Sequence, residues 1–492
     1  MTAGLGLVLG ACGSASPSGR GTTPKALPTT AGLGTAPPGF SAAPSPSQPA
    51  PSSPSTVPDS PSTVTSSGEP GEAVPTPAAP WPTYHHDPGR TGAVDAGPSP
   101  RTAHVRWSSP VPAPVQAEPL VVDGLVVVAS EADTVLAFSQ TTGRLRWRAT
   151  LGRPLSQASL PCGDINPSGI TGTPVADPAT GTLWVVAFVR PGHHVLVGLR
   201  LADGAVVSRR RVDPPGASPL VEQQRGALSL SKGWVDVPYG GLFGDCGDYH
   251  GYVVAAREAG GSTLRSFRVP AQRQAGIWAP SGPAVGTDGD LYVATGNGSP
   301  PHGNTVWRLS TGLAPTGSFT PPDTATLDRE DLDLGSTGPL LLPGGLVLQV
   351  GKAGVAYLLS ADHLGGQGGQ RYERQVCAAA FGADARAASL VYVPCVDGLV
   401  ALRVDPGPAG GRHPSLDVAW RTPSFGAGPP IVAGSTVWLL DPRAGDLLAF
   451  DATTGSRLRR LSVGSAPRFT TPAAAGRQVY VVAGGRLSDV GS

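Results

Sequence analysis

One phrase recurs along this chain: a Pro or Gly, an apolar run of strand length, a tight turn, a second apolar run, then a Thr-Gly or Asp-Gly corner. Its fullest copy is Pro119-Leu-Val-Val-Asp-Gly-Leu-Val-Val-Val-Ala-Ser130, followed by Val135-Leu-Ala-Phe-Ser-Gln-Thr-Thr-Gly143 and Leu145-Arg-Trp147. Val-rich runs bounded by turn residues read as a small antiparallel meander. Copies begin near Pro119, Pro174, Gly226, Gly282, Gly338, Ala387, Gly428 and Thr471. The spacing of roughly 40 to 55 residues is that of four-stranded propeller blades rather than helical solenoids. The fold class expected is therefore all-β, an eight-bladed β-propeller preceded by a disordered tether.

The last copy, from Thr471 to Leu487, is too short for four strands. The strand-like Ala103-His-Val-Arg-Trp107 near the start of the folded region is the natural donor of the missing one. Closing the ring with strands from both ends leaves no open sheet edge at the seam. The 68 Gly, 54 Pro and single Met suit short strands and turns rather than packed helices. Charged residues make up 14% of the chain and the formal net charge is +1, so no electrostatic footprint for nucleic acid is present.

The division expected is a signal segment over 1–11, a Pro/Ser/Thr-rich tether over 12–80, and the propeller over 81–492. The tether has almost no large apolar side chains and cannot offset the cost of ordering the chain. Leu9-Gly10-Ala11-Cys12 resembles the lipobox of bacterial lipoproteins, which implies lipidation of Cys12, anchoring to the outer face of the cell membrane and an extracytoplasmic head. The remaining cysteines, Cys162, Cys246, Cys377 and Cys395, are even in number, as an oxidising compartment favours. Three pairings are open; Cys162 with Cys246 and Cys377 with Cys395 are the favoured ones.

The opening Trp81-Pro-Thr-Tyr-His-His-Asp-Pro-Gly-Arg-Thr-Gly92 and the Ala-Phe-x-x-x-Thr-Gly-x-x-x-Trp ending at Ala137 to Trp147 resemble the pyrroloquinoline-quinone (PQQ)-repeat propeller family. That family includes quinoprotein alcohol dehydrogenases and the lipoprotein subunit of the barrel-assembly machine. The resemblance implies a fold more than an activity. Its dehydrogenases stack a quinone between a Trp and a ring of two adjacent cysteines, with calcium polarising the quinone and an Asp taking the substrate proton. No adjacent cysteine pair occurs here; Trp234, Trp278 and Trp307 are the candidate floors, while Trp147 and Trp420 read as blade packing.

Two Gly-rich loops hold the best polar clusters: Asp164 and Asn166 beside Cys162, and Asp245, Asp248, Tyr249 and His250 beside Cys246. The metal candidates are Asp164, Asn166, Asp245 and Asp248, an oxygen donor set of the kind calcium takes, against a bland reading as turn residues. Asp328-Arg-Glu-Asp-Leu-Asp-Leu-Gly335 resembles the Asp-Leu-Gly corner of quinoprotein propellers; its bland reading is a solvated acidic loop. Asn297 reads as a turn residue, and the pairs His85/His86 and His193/His194 as adjacent residues pointing apart. Serine-hydrolase elbows, phosphate loops and His-Glu-x-x-His are absent. The expectation is a non-catalytic module binding an envelope protein or cell-wall ligand, with no cofactor required. The alternative is a calcium-dependent quinoprotein oxidoreductase.

Overall fold

The structure, a computed structural model, describes residues 79–407 and 413–492. Cys12, the signal segment and all but the end of the tether lie outside the described residues.

Among the described residues are eight blades, each built on a four-stranded antiparallel meander, three of them with one added short strand, and their inner strands start close to where the repeat starts. These are Leu120–Val122, Val175–Asp177, Ser229–Ser231, Ala284–Val285, Leu340–Leu342, Ala385–Ala387, Ile431–Ala433 and Ala473–Ala475. In blade 1 the order is Leu120–Val122, Leu125–Ser130, Thr134–Ser139 and Leu145–Thr150, each paired with the next. Asp123 (φ 50°) and Gly124 (φ 72°) make its first hairpin turn. Two successive positive φ values are what a two-residue type I′ turn requires, and Asp-Gly supplies them cheaply.

Blade 8 lacks a fourth strand of its own. His104–Pro110 fills the place, pairing antiparallel with Arg486–Gly491. The ring is thus closed by the segment the sequence proposes.

Strand burial follows radial position. Middle strands such as Leu125–Ser130 and Thr182–Val189 are buried almost throughout, whereas the outer strands Leu145–Thr150 and Arg457–Ser462 alternate and carry Arg on their open side. Charged outer edges discourage pairing with another sheet. The apolar cores lie between blades: Trp184, Leu196 and Tyr239 join blades 2 and 3, Val293, Trp307 and Phe267 join blades 3 and 4, and Leu348, Leu358 and Leu402 join blades 5 and 6.

The Thr-Gly-x-x-x-Trp ending is a docking device between neighbours. The Trp107 ring in blade 8's outer strand sits on Gly143 of blade 1, Trp147 on Gly204 of blade 2, and Trp420 on Gly455 of blade 7. A Cβ on Gly204 would lie 2.5 Å from the Trp147 ring. In each case the indole Nε1–H donates to the carbonyl three residues ahead of that glycine: Gln140 (3.2 Å), Leu201 (2.7 Å) and Ala452 (3.1 Å). Blade 3's outer strand has Arg265 instead, which donates to Thr311 O of blade 4 at 2.8 Å.

The opening motif is a hub. Trp81 pairs with Val121 of blade 1, Pro82 O accepts from Ala176 N of blade 2, and Arg90 donates to Leu228 O of blade 3 (2.9 Å) and Pro283 O of blade 4 (3.0 Å). A Cβ on Gly89 would touch Leu341 of blade 5; Thr91 O accepts from Arg386 N of blade 6; Gly92 O accepts from Val432 N of blade 7; Tyr84 OH meets Thr471 Oγ1 of blade 8 at 3.1 Å. One short segment therefore touches every blade. His85 and His86 do not sit in an extended chain as their adjacency suggests: both have positive φ, 52° and 74°, and His85 is fully buried, its Nδ1–H donating to Asp384 O at 3.1 Å.

Candidate functional site

Beyond the hub along the axis lies a cavity of about 590 Å³. Its walls come from loops leading into the inner strands of blades 1, 2, 3, 4, 5, 6 and 8 and from the hairpins between the second and third strands of blades 3, 4 and 5, a set that converges on the axis. Gln116, Arg225, Phe381 and Phe469 each stand four residues ahead of an inner strand. A few residues later, in the same loops, Glu118, Leu228, Asp384 and Thr471 contact the hub. The hub is therefore the floor under the cavity.

One wall is polar and bonded across three blades. Asn297, in blade 4, donates its backbone N–H to Asp333 Oδ1 (2.8 Å) and its Nδ2–H to Asp245 Oδ2 of blade 3 (2.9 Å). Tyr249 OH donates to Asp245 Oδ1 at 2.5 Å. Lys352 Nζ, in the turn after the blade 5 strand Leu346–Val350, lies 2.8 Å from Asp331 Oδ1 and 2.9 Å from Asp333 Oδ2.

Local backbone makes this convergence possible. Asn297 adopts φ 60°, a left-handed conformation that Asn tolerates, and Gly296 leaves room for Asp333, whose Cβ would be 2.6 Å from any Cβ placed there. The short helix Thr324–Arg329 and the turn after it deliver Asp331 and Asp333.

Charge here is set by burial. The Asp333 side chain is 2% exposed and its carboxyl is pushed above the usual carboxylate value by desolvation, against the pull of Lys352. Lys352 is in turn held above its ordinary value by the two carboxylates, which outweigh its own desolvation. Asp328 is raised to about 6, chiefly by burial. The Asp-Leu-Asp stretch is thus only half a solvated loop: Asp331 is exposed and Asp333 is not.

A second part of the lining is cationic and aromatic. The Arg225 guanidinium lies over Phe469 (4.4 Å to the ring centre) and near Trp278 (5.9 Å), and that of Arg468 over Phe381 (3.7 Å). Lys352 Nζ also faces the Trp278 ring at 5.6 Å.

The residues singled out from the sequence fare unequally. Of the three tryptophans, Trp278 lines the cavity; Trp234 is buried under Arg257 and Arg265, and Trp307 packs on Phe267 inside the ring. Both favoured disulfides are present, Cys162 to Cys246 and Cys377 to Cys395. The first ties two loops at the cavity mouth. Asp164 and Asp245 line the cavity, but Asn166 Oδ1 accepts from Gln157 N in its own loop (3.2 Å) and Asp248 is exposed. Asp164, Asp245 and Asp248 do not bring three ligand atoms together among the described residues. Asp245 bonds to Asn297, which bonds in turn to Asp333. His193 and His194 do not diverge: both imidazoles meet Asp213, at 3.1 and 3.3 Å, because Asp213 reaches back across the hairpin.

Lys352, Arg225, Arg468, Phe381 and Phe469 escaped sequence reading. The signal that finds the last four is positional: they stand just upstream of the repeat, where the ring faces its axis.

A family profile described as outer membrane protein assembly factor BamB matches residues 98–237. No curated protein matches the chain in sequence. Among solved structures, the quinohemoprotein alcohol dehydrogenase from Comamonas testosteroni is similar with TM-score 0.63 and 16% identity, over 84% of this chain and 81% of that one. A europium-containing methanol dehydrogenase is similar with TM-score 0.64 and 14% identity, over 84% and 98%. BamB from Moraxella catarrhalis gives TM-score 0.54 and 13% identity, over 80% and 98%. At these identities the likeness is one of fold.

Proposed function

We propose that this PQQ-repeat propeller uses its axial cavity as a small-molecule site of the cation-assisted oxidoreductase kind. The observation that carries the reading is the bonded set Asp245, Asn297, Asp333 and Lys352, brought from three blades to one cavity wall beside the face of Trp278.

The donor chemistry fits a hard divalent cation. Two carboxylates and an amide oxygen, with no sulfur or imidazole among them, suit calcium or a trivalent relative. Trp278 offers a flat ring for a conjugated cofactor, and the Cys162–Cys246 disulfide borders the mouth in place of a ring of adjacent cysteines. Asp245, Asn297 and Asp333 would hold the cation, and Trp278 with Lys352 would hold a quinone such as PQQ. When bound, such a pair supplies a two-electron acceptor with a polarised carbonyl.

The chain's own groups do the rest. Asp333 is desolvated and held above the usual carboxylate value by burial, against the pull of Lys352, and is fixed at the wall by Asn297 N–H. Lys352 pairs with Asp331 and Asp333 and holds both at the cavity wall. Tyr249 fixes the rotamer of Asp245.

Titration of the full chain with calcium and PQQ, followed by the cofactor's absorbance and the melting temperature, tests this reading. Saturable, mutually dependent uptake with a rise in melting temperature is expected. Absence of uptake of either contradicts it.

A second reading, a binding module on the outer face of the membrane, draws support from the BamB profile match and from Phe243, 67% exposed at the cavity mouth. In that reading Cys12 carries the lipid anchor and the disulfides mark an oxidising compartment. Loss of radiolabelled palmitate incorporation in Cys12→Ser tests the anchor, and crosslinking to one envelope protein, lost in Phe243→Ala, tests the module.

A further inference from the structure

Arg225 and Arg468 spend their guanidinium faces on aromatic rings and leave their N–H edges uncommitted. Neither donates a hydrogen bond to the protein, and neither lies within 4.0 Å of a carboxylate oxygen, among the described residues. Both flank the Phe469 ring, at 4.4 and 5.8 Å from its centre. Burial lowers Arg225 from its ordinary value; the more distant Asp164 and Glu131 carboxylates pull it back up, and Arg468 lowers it a little further. Their N–H edges, unbonded at the cavity wall among the described residues, are open to an anion in the cavity.

Other arginines in the ring are differently used. Arg308 is satisfied by Asp288 (2.8 Å) and Asp290 (2.9 Å), and Arg90 by four acceptors in the hub. Lys352, the remaining cation of the cavity, is already occupied by Asp331 and Asp333. The free positive charge of the cavity is therefore concentrated around Phe381 and Phe469, with Trp278 between it and Lys352 of the acidic wall.

We propose that Arg225 and Arg468 form an anion-recognition pair and that the substrate of this cavity carries a carboxylate on a flat aromatic ring. The planar fork of each guanidinium matches a carboxylate bidentately. The aromatic frame takes the ring of such a molecule, while the acid end is turned away from Asp331 and Asp333, which would repel it. The polar reacting end is thereby directed toward the acidic wall. This rests on the axial cavity being a small-molecule site, but not on the identity of any cofactor.

Calorimetric titration of the full chain with isophthalate, benzoate and benzamide tests the pair. Isophthalate is expected to bind more tightly than benzoate, and benzamide, the neutral isostere, about tenfold or more weakly than benzoate. The Arg225→Gln/Arg468→Gln variant is expected to lose about tenfold or more of the isophthalate affinity. Equal binding of benzamide and benzoate by the unaltered protein, no binding of either acid at millimolar concentration, or undiminished isophthalate binding by the variant overturns the proposal. Calcium and PQQ uptake is followed in parallel. Isophthalate binding without that uptake retains the anion pair and removes the oxidoreductase reading; uptake without isophthalate binding does the reverse.

Discussion

Arg90 and Arg225 lie on the same axis, yet one is bonded to four acceptors and the other to none among the described residues. In the hub, polar groups meet protein. Arg90 fills its fork with Thr83, Tyr84, Leu228 and Pro283, and Glu118 accepts from Trp81 Nε1 (2.9 Å) and His85 N (2.8 Å). In the cavity, cations rest on aromatic faces and carboxylates crowd one amine. A buried arginine whose donors are bonded to the protein serves stability; arginines left with free donors in an open cavity serve recognition. The difference separates the two ends of the axis into scaffold and site.

The largest expected effect falls on the hub. Arg90→Met strands two inter-blade carbonyls and removes the cation that offsets the buried Glu118 carboxyl, and is expected to cost about 3–5 kcal/mol in equilibrium denaturation. A loss under about 1 kcal/mol would mean that blades 3 and 4 do not depend on this residue.

Asp384 gives the next effect, and it depends on pH. Its side chain is 2% exposed with both oxygens lacking a partner among the described residues, and burial pushes its pKa up to about 8. The folded protein then holds a proton that the unfolded chain releases near pH 4, so this group's contribution is complete below about pH 4 and lost as pH rises toward 8. Asp384→Asn, which stays neutral, is expected to gain on the order of 1–3 kcal/mol over the unaltered protein at pH 9 and little at pH 4. His85, held neutral by burial with its pKa lowered to about 3, opposes this on the acid side: stability falls as pH drops from about 6.5 toward 3. Thermal melts across pH 3–9 read both flanks.

Gly92 is a smaller lever on the same hub. Its φ is 64° and a Cβ would stand 2.9 Å from His85 Nδ1, so Gly92→Ala is expected to cost about 1–2 kcal/mol. At the other end, Arg225→Gln and Arg468→Gln are each expected to change stability by less than about 0.5 kcal/mol. A large loss there would erase the contrast between scaffold and site.

Most of the ring was readable because its signals are local. Asp123-Gly124 writes its own turn, Val-rich runs write the strands, and the deficit after Thr471 announces the borrowed strand at His104. The Trp-Gly dock is legible as a spacing even though its partner lies in the next blade. The cavity is less legible, because it is assembled from short loop segments contributed by seven blades. Asp333 and Asp331 look alike in sequence; their unequal burial comes from Gly296 and Asn297, more than thirty positions away. Asn297 is indeed a turn residue, and its turn is what aims it at two carboxylates. Lys352 follows an ordinary strand and carries no signal of its own. The opening motif read as a family signature conceals its physical role, since contacts with all eight blades are a property of the closed ring.

The central claim is that Asp245, Asn297 and Asp333 form a cation-binding wall on the axis. Calcium titration of the unaltered protein and of Asp333→Asn, followed by melting temperature, tests it most directly. A saturable rise in the unaltered protein that is lost in the variant is the result predicted. An equal rise in both, or none in the unaltered protein, would contradict it.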